Sequence, residues 1–167
     1  MMWLKLNSHA CEIHFRLRGY RWMEDTDWDN WCLVDLHVTS LSGVNYGLYD
    51  DPALECVEVT ELEERVDATL RGEGVSGEIM EMIEPYMTFE FCPRKEFVKG
   101  NPQRIIYWRI ILWDEGPTED YISMCLDSEA IEYLSLYLKY ARNALKQSDP
   151  ENCGNDRQGD YVWAVGR

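Results

Sequence analysis

Apolar and polar residues alternate along Cys11–Arg18, with Cys11, Ile13, Phe15 and Leu17 on one side and Glu12, His14, Arg16 and Arg18 on the other. Successive side chains of a strand point to opposite faces, so this period of two predicts a half-buried β-strand. The period returns over Trp31–Thr39, where Cys32, Val34, Leu36 and Val38 fall inward. Ser40–Gly43 supplies turn residues, and Val44, Tyr46 and Leu48 resume the alternation, which predicts a hairpin over 31–49. After Pro85, Met87, Phe89 and Phe91 alternate with Thr88, Glu90 and Cys92 in a further strand. Ile105–Trp113 is largely apolar on both sides, with only Arg109 polar among Ile105, Tyr107, Ile111 and Trp113, and so belongs in the middle of a sheet. Tyr121–Leu126 follows after a turn at Asp114–Asp120.

Two stretches change to helical spacing. Thr60-Glu61-Leu62-Glu63 has the residues of a capping box, Leu62, Val66 and Leu70 form a stripe, and Gly72 suits a left-handed end. A helix over about 60–71 is expected. Ile131, Leu134, Leu138, Ala141 and Leu145 define a second helix, over about 128–146, behind Asp127 or Ser128 as N-cap and ending before Pro150. Asp50–Val59 has no clear period, and a short strand around Leu54–Val57 is its best reading. The polar stretch 147–167 holds an apolar run at Tyr161–Val165 that suits either an edge strand or a partly disordered tail. Strands first, one helix inside and one at the end predict a single α+β domain over 1–167 built on an antiparallel β-sheet system.

The cysteines stand far apart at 11, 32, 56, 92, 125 and 153. No CxxC pair exists, so zinc-ribbon and thioredoxin-like chemistry have no chelating or redox pair in sequence. Met1–His9 contains Lys5, Asn7 and Ser8 and no apolar core of a signal peptide. Six reduced, mostly buried thiols in the cytoplasm are therefore expected.

Charge changes the picture more. The chain carries a net −15, and it is unevenly spread: residues 1–22 hold +3, residues 23–91 hold −16 and residues 92–167 hold −2. Solubility does not require such segregation. A field of this sign repels nucleic acid and anionic lipid and attracts basic proteins.

Catalytic and metal motifs are missing. Asp25-Thr26-Asp27-Trp28-Asp29-Asn30 opens like a calcium loop, but the positions that need Gly and Glu hold Asn30 and Leu36. His9, His14 and His37 are scattered; His14 and His37 are able to face one another across a sheet, although solvated strand histidines are the simpler reading. No GxSxG, Walker loop or GxGxxG occurs, so no catalytic, cofactor-binding or metal-binding residue is assigned. What remains is Trp22, Glu24, Asp25, Asp27, Trp28 and Asp29, aromatic anchors in an acidic loop between two strands, which is the usual composition of a protein-binding surface.

These residues carry a resemblance. Asp29-Asn30-Trp31-Cys32-Leu33-Val34, after an early strand and an acidic loop, is similar to the D-x-N-W-L segment of the WapI family of bacterial immunity proteins. Ile83-Glu84-Pro85-Tyr86-Met87-Thr88-Phe89-Glu90 resembles that family's EPxLxFE segment, and Thr60–Leu70 occupies the place of its mid-chain helix. The chain departs in carrying Cys32 where the motif has Leu, and in a tail beyond about 147. The resemblance spans roughly 11–146. It implies a non-enzymatic cytoplasmic protein that binds and neutralises the C-terminal toxin domain of a contact-dependent, WapA-like effector. A nuclease toxin would fit, since its basic substrate groove matches a −16 segment. The competing readings are a small ligand-binding domain or enzyme, which a deep apolar pocket with convergent carboxylates would favour, and a structural domain whose acidity serves solubility alone.

Calorimetric titration of the purified chain with calcium and with zinc at neutral pH is expected to show no site of micromolar affinity or tighter. Such a site would turn attention to Asp25–Asp29.

Overall fold

The alternating segments do form strands, and two sheets and two helices account for them. The computed structural model describes residues 2–8, 10–20, 31–147 and 161–164, and of Tyr20, 144–147 and 161–164 the backbone alone. In chain order the elements are β1 (Trp3–Asn7), β2 (Cys11–Tyr20), β3 (Trp31–Ser40), β4 (Asn45–Glu55), α1 (Cys56–Arg71), β5 (Glu78–Glu81), β6 (Met87–Val98), β7 (Asn101–Trp113), β8 (Pro117–Leu126), α2 (Ser128–Gln147) and β9 (Tyr161–Ala164). The first sheet has the order β4-β3-β2-β1-β9, with β1 to β4 antiparallel and β9 parallel to β1. The second, β5-β6-β7-β8, is antiparallel throughout. This is the expected α+β class.

β7 lies between β6 and β8, as its two apolar faces require. Ile13, Phe15 and Leu17 of β2, Val34, Leu36 and Val38 of β3, and Phe89, Ile106, Trp108 and Ile110 of the second sheet are all buried in one core. Three rings join the layers. Phe15 meets Trp108 edge-on at 5.3 Å and Tyr137 of α2 at 5.9 Å. The Tyr137 hydroxyl accepts from the Leu17 amide at 2.9 Å and lies 3.2 Å from the Met2 carbonyl, to which it donates.

α1 starts earlier than expected, and the proposed capping box at Thr60–Glu63 is overturned. Glu55 is the N-cap and Glu58 its partner, while Thr60 lies inside the helix and donates to the Cys56 carbonyl at 3.3 Å. Leu54–Val57 is accordingly divided between the end of β4 and the start of α1. Glu58 is buried, because its carboxylate takes two amides at once: Glu55 at 2.7 Å and, from the distant chain, Ile83 at 2.6 Å. Gly72 ends α1 in the left-handed region at φ 74, as its position predicts. In α2 the cap is Asp127, whose carboxylate accepts the Ala130 amide at 3.0 Å.

β1, β5 and the outer half of the β6–β7 hairpin were not foreseen. β1 and β5 are short, and Pro93 and Pro102 interrupt the period in the hairpin. β4 runs on to Glu55 through two bulges, one on either side of the Val34–Asp51 pair, and they hide its pattern there.

The outward side of the first sheet is not simply solvated. Arg16 and Asp35 face each other across β2 and β3 and are both buried, with Arg16 Nε donating to Asp35 Oδ2 at 3.0 Å. The Trp3 ring covers the guanidinium at 4.5 Å. Asp35 also accepts the Asp50 amide at 2.9 Å, and Arg18 pairs with the Asp50 carboxylate. These contacts hold Asp50 at φ 53, a region that non-glycine residues rarely enter.

Two outcomes follow from this packing. Removing one partner of a buried ion pair strands the other charge, so Asp35→Ala should cost about 3 kcal/mol in urea unfolding, whereas Arg16→Met with Asp35→Leu should cost much less. Burial pushes the Glu58 carboxyl up from its ordinary 4.5, against the two amides that favour the anion. A folded-state value above the unfolded one means that the native chain binds the proton more tightly. The contribution of Glu58 is therefore largest below 4.5 and falls as pH rises through the higher folded value. Unfolding series across this range should show the stability of wild type relative to Glu58→Gln declining as pH increases.

Candidate protein-binding surface

The residues singled out from sequence, Trp22, Glu24, Asp25, Asp27, Trp28 and Asp29, lie outside the described residues. The strand ends that flank them are placed. Tyr20 pairs with Cys32, and Trp31 stands opposite Glu55, the residue at which β4 passes into α1.

At that end three pieces of chain converge. β4 contributes Asp51 and Glu55, α1 contributes its first two turns, and the segment before β6 contributes Ile83, Glu84 and Tyr86. Glu58 holds the third piece to the second through the Ile83 amide. Tyr86 donates its hydroxyl to Asp51 Oδ2 at 3.3 Å, which joins the edge of one sheet to the start of β6 in the other. Its ring stacks on Trp113 at 4.5 Å. Ile83, next to Glu84 and three residues before Tyr86, is left 61% exposed, a large apolar side chain whose amide is held by Glu58.

The local potential is negative. Tyr86 is pushed up to about 12, first by burial and then by Asp51 and Glu84. Asp51 is raised by burial, with the Tyr86 hydroxyl opposing. Asp51 and Glu58, the two raised carboxylates here, are already engaged by a tyrosine and by two amides, so neither presents a free acid or base.

Several acids are paired with bases, although among the described residues Asp114, Glu115, Glu119 and Asp120, at and just after the β7–β8 turn, are not. Lys5 pairs with Glu12 at 2.8 Å, Arg65 with Glu61 at 2.7 Å and Glu78 at 2.6 Å, Lys139 with Asp67 at 2.7 Å, and Arg142 with Glu63 at 3.1 Å. Among the described residues Glu55, Glu64, Glu81 and Glu84 have no ion pair. The basic residues Arg94, Lys95, Lys99 and Arg104 sit on the β6–β7 hairpin, tied by Arg94 Nε to the Gly72 carbonyl at 2.9 Å. That contact is at the opposite end of α1, about 24 Å away at 1.5 Å per residue. Acid and base are thus held apart along one helix.

The sequence reading assigned its binding residues to Trp22–Asp29, not to Asp50–Glu64, and read Ile83–Tyr86 only as part of a family segment. Their contact is tertiary, and no local pattern announces it. His14 and His37 do face one another, their rings 6.0 Å apart, with His14 Nε2 2.6 Å from Glu12. Among the described residues no three His, Cys, Asp or Glu side chains are grouped to hold a metal, and no helix is long and apolar enough to cross a membrane.

No curated protein and no solved structure matches the chain. The family described as immunity protein WapI-like matches residues 3–145, from the start of β1 to the last turn of α2. With nearly the whole described fold inside that match, the chain belongs to the WapI-like immunity protein family.

Proposed function

We propose that this immunity protein works in the cytoplasm by binding the toxin domain of a WapA-like, contact-dependent effector of its own strain. The interface would be the acidic, aromatic end of the molecule. The toxin domain would be basic, and a nuclease meets that requirement, because a groove built for a polyanion fits a surface of unpaired carboxylates.

One observation carries the reading: Ile83 stands exposed three residues before Tyr86, whose ring stacks on Trp113 and whose hydroxyl binds Asp51, and Glu58 ties the Ile83 amide to that of Glu55. An apolar and aromatic centre with a charged rim is the anatomy of binding hot spots. The flanks of the acidic stretch Trp22–Asp29 meet the same end, so its carboxylates would extend the same field. Opposite fields raise encounter rates, and buried anchors slow escape.

The two roles separate in a kinetic binding series against the cognate toxin domain at several salt concentrations. Reversing Asp25, Asp27 and Asp29 to Lys, or Glu64 and Glu84 to Lys, should slow association by roughly tenfold or more at low salt and by less at high salt. Ile83→Ala, and Trp28→Ala in the loop, should instead speed dissociation. Circular dichroism should be unchanged. Unaltered association in both sets of Lys variants would place the interface on another face.

A further inference from the structure

Two cysteines that are far apart in sequence meet at the junction of β3 and α1. Cys32 is the second residue of β3, fully buried, and Cys56 is the first residue of α1, half-buried. Their sulfurs are 3.6 Å apart and both are free thiols. A disulfide requires about 2.05 Å, so small side-chain rotations separate the observed pair from a bond.

The two thiols are not equivalent. Cys56 stands at a helix N-terminus, where amide dipoles favour a thiolate, and it is reachable from solvent. The hydrogen bond from Cys32 lowers the Cys56 thiol, with its own backbone amide assisting and burial and Glu55 opposing. Cys32 is raised well above its ordinary value by that same bond and by burial. One sulfur is therefore suited to attack and the other to hold its proton until a second step. Cys125 offers an internal contrast: it is more exposed, yet burial of its sulfur and the nearby Asp127 raise it.

We infer that Cys56 and Cys32 are a thiol-oxidation site for hydroperoxides, with Cys56 the attacking and Cys32 the resolving sulfur. In the first step the Cys56 thiolate attacks one peroxide oxygen. An S–O bond forms, the O–O bond breaks, and the departing oxygen leaves as water or an alcohol after taking a proton. Cys56 is then a sulfenic acid. In the second step the Cys32 sulfur attacks Cys56, the S–O bond breaks, and its hydroxide leaves as water with the Cys32 proton. Two thiols have given up two electrons to one O–O bond, and the product is a disulfide. The bridge closes the chain between the start of β3 and the start of α1. Cys56 opens α1 next to Glu55, within the proposed binding surface, but bridge formation does not require the partner.

The test uses the full reduced chain and hydrogen peroxide in small molar excess, followed by alkylation and non-reducing peptide mapping. A Cys32–Cys56 linked peptide should appear before oxidation at Cys125, and dithiothreitol should reverse it. The bridged protein should melt roughly 5–10 °C higher, as expected for a loop of this length. In Cys32→Ala the Cys56 sulfenic acid should persist and be trapped by dimedone, and in Cys56→Ala oxidation at Cys32 should slow by about tenfold or more. A map in which Cys125 reacts first and no Cys32–Cys56 link forms overturns the assignment. Untrappable Cys56 in a folded Cys32→Ala protein overturns the order of attack. If either variant fails to fold, the wild-type map still decides whether the bridge forms.

Discussion

The meeting of Phe15, Trp108 and Tyr137 is the constraint on which the rest depends. Each ring comes from a different layer, β2, β7 and α2, and each is buried in the shared core. Once Phe15 points inward, the parity of a strand sends Arg16 to the other face, and the antiparallel register sets it opposite Asp35. The buried ion pair is thus a consequence of core packing, and a shift of one residue in β2 would exchange the two environments. The Tyr137 hydroxyl fixes that register from the helix side by receiving the Leu17 amide. A single phenol secures both the placement of α2 and the alignment of the strand beneath it.

How much was legible in the sequence follows from the range of the forces involved. β2, β3, β7 and α2 could be read because each has one apolar face and a local period that reports it. The start of α1 could not. Thr60-Glu61-Leu62-Glu63 offers capping chemistry, but Glu55-Cys56-Val57-Glu58 does too, and the second position wins because Glu58 also reaches Ile83. That extra bond lies beyond any local window. Arg16 and Asp35 read as solvent-facing positions for the same reason: nothing nearby in sequence says that Trp3 will cover the guanidinium. At the candidate surface, the excess of acid was visible, whereas the joining of Asp51 to Tyr86 and of Glu58 to Ile83 needed the fold. The loop residues that sequence favoured, Trp22 to Asp29, are outside what the structure describes.

Concentrating carboxylates normally destabilises a fold through mutual repulsion. Here the helix dipole offsets part of that penalty. Glu55 caps the N-terminal end of α1, where amide groups point outward, and Arg71 and Arg94 stand at its C-terminal end. Each arrangement contributes a few tenths to about 1 kcal/mol where exposed. Acidity that would serve recognition is therefore also acidity that α1 favours, and the usual opposition between binding charge and stability is weakened at this position.

The parallel pairing of β9 with β1 bears on how the chain acquires its structure. Trp3 lies beside Tyr161, so the first strand of the fold is hydrogen-bonded to the last. The hairpins β2–β3, β3–β4, β6–β7 and β7–β8 join neighbours and are able to close as they leave the ribosome, since little loop entropy is lost. β1 has β2 on one edge from an early stage, but its other edge waits until residues 161–164, beyond α2, have been made. Until then that strand presents open backbone groups to any passing extended peptide. The pairing of β1 with β9 therefore closes only after α2 has been made, and a chain halted after α2 would leave open the β1 edge that β9 otherwise covers.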